Sequence, residues 1–338
     1  MQTIQKEIKE SVYLCRPNGA LNPEAIGWAR RPFPICNLKG SPFRKKRWNY
    51  WCIADENFLF SVTIADLDYA ESVFAYALDF RHQRFTEQTA ILPFPGKTKL
   101  PPGFGGKVEM DIKGLRARFE DMPGGRLLSC RSEDFGGTVL TAEVKVEIPA
   151  DEESLNVVVP WSRRRFQFTS KQLCLPATGK VQWGSELYEF KKGRAFATLD
   201  LGRGIWPFQT SWNWAAFSGN AGRDRVGVNM GARWTDGTGM NENGILLNGK
   251  LFKIFDDIVF QYDEQDLKGP WSMRTKSSSA LELDFQPFHE RVAETNLLLL
   301  RTKVNQLFGL YSGRVRVGRK ELKINQLFGW AEDHRARW

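Results

Sequence analysis

Hydrophobic and polar residues alternate with a period of two along several stretches of the chain. Three segments show this pattern clearly: Thr141–Ile148, Ala280–Gln286 and Gly313–Arg319. In the first, Val144 and Val146 alternate with Lys145 and Glu147. Successive side chains of a strand point to opposite faces, so this alternation predicts antiparallel strands with one face buried and the other in water.

Short turn signals separate the predicted strands. Asn248-Gly249 lies between two apolar runs and predicts a two-residue hairpin. The sequence VNQLFG at Val304–Gly309 recurs as INQLFG at Ile324–Gly329. Two copies do not form a repeat array, so we expect two similar strands paired through a hairpin at Val317–Lys320. Further turns are predicted at Asp55–Asn57, Met122–Gly125 and Phe135–Gly137.

Many short strands with regular turns predict an all-β protein built from two antiparallel barrels or curved sheets packed together, with few short helices. Helix is expected only in residues 2–10 and 289–299, and Leu92–Gly106 is expected to form a long loop.

A chain of 338 residues is long enough for two domains. Pro176 and Gly179 interrupt a strand pattern, which predicts barrel-like domains at residues 1–175 and 176–338.

The net charge of +9 is concentrated at the two ends of the chain, because residues 1–50 carry +7, residues 301–338 carry +6 and the middle carries −4. Basic runs lie at Arg44–Arg47 and Arg163–Arg165. Neither run belongs to a known nucleic-acid-binding motif, so we expect no nucleic-acid partner. Peripheral contact with an anionic membrane, or attraction of an acidic small molecule, stays open. Nothing in the sequence determines the oligomeric state.

The cysteine and histidine content bears on location and metal binding. Five widely spaced cysteines without a C-x-x-C pair predict reduced thiols in a cytoplasmic protein. No signal peptide or membrane-spanning apolar run is evident. Three histidines far apart do not suggest a histidine-based metal site, and no metal or cofactor is expected, although carboxylates that hold Mg²⁺ or Ca²⁺ are not ruled out.

The segment Asp200–Gly219 is the most distinctive part of the sequence. It holds Trp206, Trp212 and Trp214 together with one carboxylate and one arginine. Tryptophan has a large flat face and an N–H group that needs a partner when buried. The segment therefore predicts an aromatic-walled ligand pocket with a few polar groups. The alternative is a tryptophan-rich core at the end of a barrel.

Arg203 lies between Gly202 and Gly204, where its side chain can extend without crowding. Its guanidinium group suits a carboxylate or phosphate of a ligand. An internal pair with Asp200 at a barrel rim is the alternative.

A second polar cluster lies at Gly227–Gly244. Asn229 lies within a predicted strand and needs a hydrogen-bond partner if it is buried, and Glu242 is a further candidate for ligand contact. A wide strand connection with turn-capping side chains is the alternative, favoured for Asp236, Asn241 and Asn243. The amide candidates for ligand binding are Asn213, Asn229 and Asn243.

Several motifs together resemble a known family. They are Gly27–Pro32, Lys46–Trp51, Ala65–Tyr69, Asp200–Trp214, Gly227–Gly231, Glu242–Gly244, Gly329–Glu332 and Arg337–Trp338. In this order they resemble the domain of unknown function 2804 family over nearly the whole chain. More distantly, that family resembles the lipocalin-like (calycin) group of paired barrels, which includes carotenoid hydratases, tocopherol cyclase and polyketide cyclases. The resemblance implies two lipocalin-like barrels and an apolar ligand of the lipid or isoprenoid type. It transfers no catalytic residue.

If the protein is an enzyme, acid-catalysed hydration or cyclisation is the expected chemistry. An aromatic cage desolvates a carboxyl group and raises its pKa, which keeps the acid protonated at neutral pH. The candidate acids are Asp200, Glu242 and Glu332. The tryptophans would stabilise a carbocation by cation–π attraction.

Three alternatives stay open. Two carboxylates and tryptophan platforms also suit a carbohydrate-active enzyme. A non-catalytic carrier of an apolar or amphipathic ligand would leave Asp200 and Glu242 bound to partners at the rim. An interaction module would instead expose the aromatic residues as a surface patch.

Overall fold

The computed structural model describes residues 5–93, 100–297 and 300–337, and their side chains outside residues 295–300. Strands account for 65% of the chain and helix for 1%, so the fold is all-β. One sheet is a nearly closed barrel and the other is a half-barrel. The predicted fold class is therefore confirmed.

The first part of the chain forms fifteen of the described strands. Their bounds are β1 Val12–Tyr13, β2 Trp28–Ala29, β3 Pro34–Ile35, β4 Lys45–Ala54, β5 Phe58–Asp66, β6 Ala70–Asp79, β7 Arg84–Pro93, β8 Val108–Ile112, β9 Leu115–Met122, β10 Gly125–Ser132, β11 Leu140–Glu147, β12 Leu155–Ser162, β13 Arg165–Trp183, β14 Glu186–Phe190 and β15 Phe196–Ile205. The main path of hydrogen-bonded neighbours is β7-β6-β5-β4-β15-β13-β11-β10-β9-β8. Strand β12 pairs with β13 and β2, and β14 pairs with β13. A separate parallel pair joins β1 and β3.

The second sheet contains the remaining nine described strands. Their bounds are β16 Gln209–Ala221, β17 Asp224–Ala232, β18 Gly244–Leu247, β19 Lys250–Lys253, β20 Ile258–Gln261, β21 Trp271–Thr275, β22 Leu281–Leu297, β23 Leu300–Val317 and β24 Lys320–Arg337. The neighbour order is β19-β18-β17-β16-β24-β23-β22-β21-β20. Strands of 17 and 18 residues at β22–β24 make the centre of this sheet long enough to cover the first.

Two burial patterns distinguish the strands. On β11, buried Leu140, Ala142, Val144 and Val146 alternate with more exposed residues, because one face of this strand meets water. On β15 every residue is buried. Its Leu201 belongs to the core of the first sheet, while the opposite face is covered by the second sheet. Continuous burial therefore marks the strands that lie between two packed layers.

The residues between the two sheets form a separate core, which we call the seam. A larger share of its residues is aromatic than in the cores on the far side of each sheet. The larger aromatic residues of the seam are Trp28, Tyr50, Tyr76, Trp206, Trp214, Trp234, Phe308 and Trp330. Polar contacts also cross it, among them the hydrogen bond that Tyr76 donates to Gln306 at 2.9 Å.

Several local predictions are confirmed. Asn248 and Gly249 connect β18 and β19 with φ angles of 50° and 80°, as the predicted hairpin requires. The repeated segments lie on β23 and β24, which are joined by the expected hairpin.

The helix prediction is wrong in its described part. Residues 5–10 form no helix, and residues 289–297 belong to β22. Pairing of β22 with β23 along their length explains the second error, since tertiary contacts override weak local helix preference. Residues 2–4 and 298–299 lie outside the described residues. The only helix described is a 3₁₀ turn at Pro23–Ala25, capped by Asn22.

The two-domain division at residues 1–175 and 176–338 stays a prediction. Strand β13 runs across the proposed boundary without ending, with a register shift between Gln172 and Leu175. Strand β15 still belongs to the first sheet, so the chain changes sheets between Ile205 and Gln209.

No helix in the described part of the chain is long and apolar enough to cross a membrane. The five cysteines are buried and free. Burial raises the pKa of Cys36, Cys52, Cys130 and Cys174 to about 12. The cytoplasmic location stays a prediction.

The glycines of the repeated motif are set directly opposite each other, Gly309 on β23 and Gly329 on β24. A Cβ atom on Gly329 would lie 2.4 Å from the carbonyl oxygen of Ala216. We therefore expect Gly329→Ala to lower the free energy of unfolding by about 1–3 kcal/mol, measured by denaturant titration. Gly103 has no described neighbour within 4 Å of such an atom, so Gly103→Ala is the control and should change stability by less than about 0.5 kcal/mol. Equal effects would contradict the packing explanation.

Candidate functional site

Lys171 on β13 is the centre of a buried charged cluster in the seam. Its Nζ atom lies 2.8 Å from Asp200 Oδ1 and 3.2 Å from Glu242 Oε2. The side chains of Lys171, Asp200 and Glu242 are 5%, 12% and 2% exposed. The ammonium also lies 4.4 Å from the ring centroid of Trp214. A charge buried to this degree is tolerated only with compensating partners, and here two carboxylates and an aromatic face provide them.

The sheet geometry brings these three residues together. Lys171 and Asp200 are directly paired on neighbouring strands β13 and β15. Glu242 reaches them from the connection between β17 and β18, on the opposite side of the seam. A Cβ atom on Gly231 would lie 2.3 Å from Glu242 Oε1, so glycine leaves the space that this side chain occupies. Glu242 Oε1 accepts a hydrogen bond from the indole N–H of Trp234 at 2.8 Å.

Asp200 is held by three donors. Besides Lys171, it accepts hydrogen bonds from Thr169 Oγ1 at 3.2 Å and Trp48 Nε1 at 3.1 Å. A Cβ atom on Gly202 would lie 2.2 Å from the Trp48 ring. Glycine at this position therefore lets Trp48 lie flat against β15 and reach the carboxylate.

Seven tryptophans line the seam around this cluster, and we call them the tryptophan wall. They are Trp48, Trp161, Trp206, Trp212, Trp214, Trp234 and Trp330. The ring centroid of Trp206 lies 4.8 to 6.0 Å from those of four others. Trp48, Trp161 and Trp212 are only half-buried, whereas Trp206 and Trp214 are buried. The seam is therefore open to solvent at the end where Trp48, Trp161 and Trp212 lie.

Glu332 on β24 is the third carboxyl group of the seam. It accepts hydrogen bonds from Trp212 Nε1 at 3.2 Å and from Gln306 Nε2 at 2.9 Å. Gln306 in turn accepts from Tyr76, whose hydroxyl group lies 2.8 Å from that of Tyr50. A continuous set of hydrogen bonds therefore holds the Glu332 carboxyl group from the second sheet and connects it to two tyrosines of the first.

Burial and charge set the protonation states of these groups. Burial raises the pKa of Glu332 to about 7, because desolvation outweighs the hydrogen bond from Trp212 and the positive charges of Arg291 and Lys171. Burial also raises the pKa of Glu242 above its ordinary value, although Lys171 opposes this. Burial opposes the charged form of Lys171, but Asp200 and Glu242 outweigh it and raise the lysine pKa. Glu332 is therefore partly protonated near neutral pH, while Lys171 stays charged.

Seven of the ten predicted site residues lie in the seam, and the other three do not. Asp200, Glu242, Glu332, Trp206, Trp212, Trp214 and Asn229 all lie in the seam. Asn229 accepts from Trp214 Nε1 at 2.8 Å and donates to the Glu242 carbonyl oxygen at 2.6 Å, which fixes both side chains.

The other three predicted residues do not join the cluster. Arg203 points into the first barrel, where it donates to Asn49 Oδ1 and to the carbonyl oxygens of Trp48, Gly202 and Pro101. It forms no pair with Asp200, which lies on the other face of β15. Asn213 points into the half-barrel and donates to Tyr262 and the Glu332 carbonyl oxygen. Asn243 bonds to the backbone of Gly231 and Asp256, the turn-stabilising role given above as the alternative.

Lys171, Gln306, Trp161 and Trp234 are functional candidates that the sequence reasoning missed. Lys171 is the one charged residue in the run FQFTSKQLCL at Phe166–Leu175. A lone lysine in a buried strand must find a buried partner, but half of the residues in this run are polar, so the sequence alone gives only a weak signal for that burial.

The cavities of 260, 730 and 740 Å³ lie beside the charged cluster, and none of them is lined by its residues. A cavity of 260 Å³ lies at the end of the seam away from Trp48, and its walls include Cys52, Phe196, Thr198 and Trp330. Cavities of 730 and 740 Å³ lie on the half-barrel side, lined by other residues. Glu332 lies two residues from Trp330 on the same face of β24, so it is roughly 7 Å along the strand from the 260 Å³ cavity.

The chain thus has an all-β fold of two packed sheets, one a nearly closed barrel and the other a half-barrel, with the seam between them. More particularly, the chain belongs to the family described as Domain of unknown function (DUF2804), whose model matches residues 5–338. The predicted membership is thus confirmed.

Two solved structures show the same fold. CghA, determined with Sch210972, has a TM-score of 0.54 and 11% identity, covering 87% of this chain and 88% of that one. Kievitone hydratase from Nectria haematococca has a TM-score of 0.51 and 10% identity, covering 85% and 88%. Such low identity establishes the fold alone. No curated protein matches the chain significantly.

The raised pKa of Glu332 makes a prediction for stability. Between the ordinary value of 4.5 and about 7, the folded protein holds this proton and the unfolded chain does not. The free energy of unfolding therefore falls as pH rises through that window. Glu332→Gln cannot ionise, so its stability relative to the wild type should increase by about 3 kcal/mol between pH 4.5 and 7.5.

Denaturant titrations across this range would measure the effect. Glu143→Gln, at an exposed position of β11, is the control and should keep the wild-type pH profile. Parallel profiles for Glu332→Gln and the wild type would show that Glu332 ionises normally in the folded protein.

Proposed function

We propose that this protein binds a small apolar or amphipathic ligand of the isoprenoid or lipid type in the seam, and that Glu332 acts on it as a general acid. The observation that carries the proposal is the tryptophan wall around a fixed set of one ammonium and three carboxyl groups, next to a cavity whose walls are partly apolar. Such a combination of aromatic surface and few convergent polar groups is typical of small-molecule sites.

The 260 Å³ cavity limits the size of the ligand. It is slightly smaller than the pockets of about 300–1,000 Å³ that hold drug-sized molecules. Phe80, Phe196, Phe328 and Trp330 form the apolar part of its wall, while Asp55, Glu56 and Arg194 are among the charged and polar residues that form the rest. A chain of ten to fifteen carbons would place its apolar part in this cavity and direct its other end along β24 towards Glu332.

The chemistry follows from the protonation states. A protonated Glu332 would transfer its proton to a carbon of a double bond, and the electron pair of that bond would form the new C–H bond. The resulting carbocation would face the rings of Trp212 and Trp214, whose π electrons stabilise positive charge. Water would add to the cation and return a proton to the Glu332 carboxylate. If an internal double bond attacks the cation instead, a ring and a new carbocation form, and loss of a proton from a neighbouring carbon to the Glu332 carboxylate then gives a neutral cyclic alkene.

One of the two structural relatives, kievitone hydratase, is a hydratase by name. For this chain the shared fold supports only the barrel architecture. Glu332 and the tryptophan wall support the acid chemistry.

A non-catalytic carrier is the second candidate. It is favoured by one observation: Asp200 and Glu242 are both bound to Lys171, so neither is left unpaired. The same observation counts against a carbohydrate-active enzyme, because Lys171 lies between the two carboxylates that would have to flank a sugar.

Ligand binding is testable with farnesol and decanoic acid as probes. Titration calorimetry should detect saturable binding of farnesol, because its apolar chain leaves water for the seam. Ala54→Phe places a larger side chain at the wall of the 260 Å³ cavity and should weaken binding at least about tenfold. Ala221→Phe, at the end of β16 against the half-barrel core, is the control and should bind as the wild type does. Unchanged binding in Ala54→Phe would place the ligand elsewhere.

Catalysis is testable with farnesol in deuterium oxide and in heavy-oxygen water. The wild type should incorporate one solvent deuterium into a product, with heavy oxygen also present if the product is a hydrate. Glu332→Gln should bind farnesol with the wild-type affinity but lose at least about 100-fold of the rate, since general acid catalysis contributes that much. Mass spectrometry reads both isotopes. Binding without label in any product would leave the carrier as the function.

A further inference from the structure

The open end of the seam is bordered by a surface of arginines and exposed aromatic rings, which we call the basic rim. Its members are Phe43, Arg44, Arg163, Arg164, Phe208 and Arg337. Arg44 donates to the Trp206 carbonyl oxygen at 3.1 Å, so the rim is attached directly to the tryptophan wall. The turn at Arg163 and Arg164 follows Trp161 of the same wall by two residues.

Short contacts make the rim continuous across both sheets. The guanidinium carbons of Arg44 and Arg337 lie 5.5 Å and 5.0 Å from the ring centroid of Phe208, one from each sheet. Arg165 donates to Ser41 Oγ at 3.2 Å, which joins the β12–β13 turn to the loop that carries Phe43. Residues distant in sequence therefore form one surface.

Two features set this surface apart from an ordinary solvated face. Phe43 is 64% exposed and Phe208 is 42% exposed, which is unusual for side chains of this size. In the described part of the chain, no acidic side chain lies within ion-pair distance of Arg163, Arg164 or Arg337.

The neighbouring basic residues behave differently. Lys45 pairs with Asp68 at 2.9 Å and Arg47 with Asp66 at 2.8 Å. Positive charge is thus neutralised at Lys45 and Arg47 on the strand behind the rim, whereas Arg163, Arg164 and Arg337 have no acidic partner among the described residues. A cavity of 540 Å³ beside Arg337 is also lined by Lys303 and Arg335, although Arg335 pairs with Glu264 at 2.9 Å and Glu294 lies at the edge of the cavity.

We propose that the basic rim docks the protein on an anionic phospholipid bilayer, with the open end of the seam facing the membrane. The arginines would contact lipid phosphates, and Phe43 and Phe208 would enter the interface between headgroups and acyl chains. Aromatic rings favour that interface because one side of it is apolar. Charge complementarity with the lipid headgroups and the two exposed rings argue for this partner.

The observations favour a bilayer over a nucleic acid. A nucleic-acid surface pairs cations with aromatic rings inside a groove that follows the phosphate backbone. Here the two rings protrude from loops at one end of the molecule, around the opening of an apolar seam. The inference goes beyond the proposed ligand function and does not depend on it, because the residues that would contact the membrane belong to the basic rim and not to the seam.

Flotation with vesicles tests the proposal on the ligand-free protein. The protein should bind vesicles in which a quarter of the phosphatidylcholine is replaced by phosphatidylglycerol, and should not bind pure phosphatidylcholine. The double variant Arg163→Ser/Arg164→Ser should reduce the partition coefficient roughly 30-fold, because each basic residue near an anionic surface contributes a factor of about five. Binding should also weaken at about 0.5 M NaCl, where surface charges are screened.

A matched control separates the rim from net charge. Arg223 and Arg319 are exposed in turns at the other ends of β16 and β24, so Arg223→Ser/Arg319→Ser removes the same charge one strand length away. This control should bind vesicles like the wild type. Phe43→Ser should weaken the binding that remains at high salt, which pure charge attraction would not predict.

Three results would overturn the proposal. They are equal loss in the two double variants, no preference for phosphatidylglycerol, and binding to an RNA oligomer that depends on Arg163 and Arg164 while vesicles are ignored. Farnesol binding by the rim variant, measured without vesicles, should equal that of the wild type. Failure of the seam function and failure of the docking surface are thus read by separate assays.

Discussion

The pairing of Lys171 with Asp200 and Glu242 is the constraint around which the seam is arranged. Removing an ammonium and two carboxylates from water costs several kcal/mol per ion unless each finds a partner. Each partner comes from a different element: β13, β15 and the β17–β18 connection. Because Glu242 approaches from the second sheet, the ion pairs also fix how that sheet lies against the first. The tryptophans then exclude water from the ions, which strengthens their attraction.

Glycine is the residue that makes this arrangement sterically possible. Gly202 admits the ring of Trp48, and Gly231 admits the side chain of Glu242. Gly204 performs the same task for Gln167, whose side chain would overlap a Cβ atom there. Large aromatic, polar and charged side chains thus fit between the two sheets because the strand positions next to them are glycines, which have no side chain. The need for glycine arises here from close packing across the seam and not from the backbone angle.

The sequence predicts much of the fold and only part of the site. The alternation on β11 and the Asn248-Gly249 turn are local signals, so the sequence predicts this strand and this hairpin correctly. Asp200 and Arg203 are an odd number of positions apart in one strand, and so are Trp212 and Asn213. The period of two therefore places each pair on opposite faces, a consequence that proximity in sequence conceals. The charged cluster depends on contacts across 29 and 71 positions, between Lys171 and Asp200 and between Lys171 and Glu242, which no local pattern encodes.

The continuity of β13 bears on how this architecture can be divided or inherited. Its first half pairs with β12 and β15, and its last residues pair with β11 and β14. A chain cut near residue 175 would leave hydrogen-bonding edges of several strands without neighbours on both fragments, and such edges promote aggregation. A cut inside β13 therefore separates strands that pair with one another, although each of the two sheets has a core of its own.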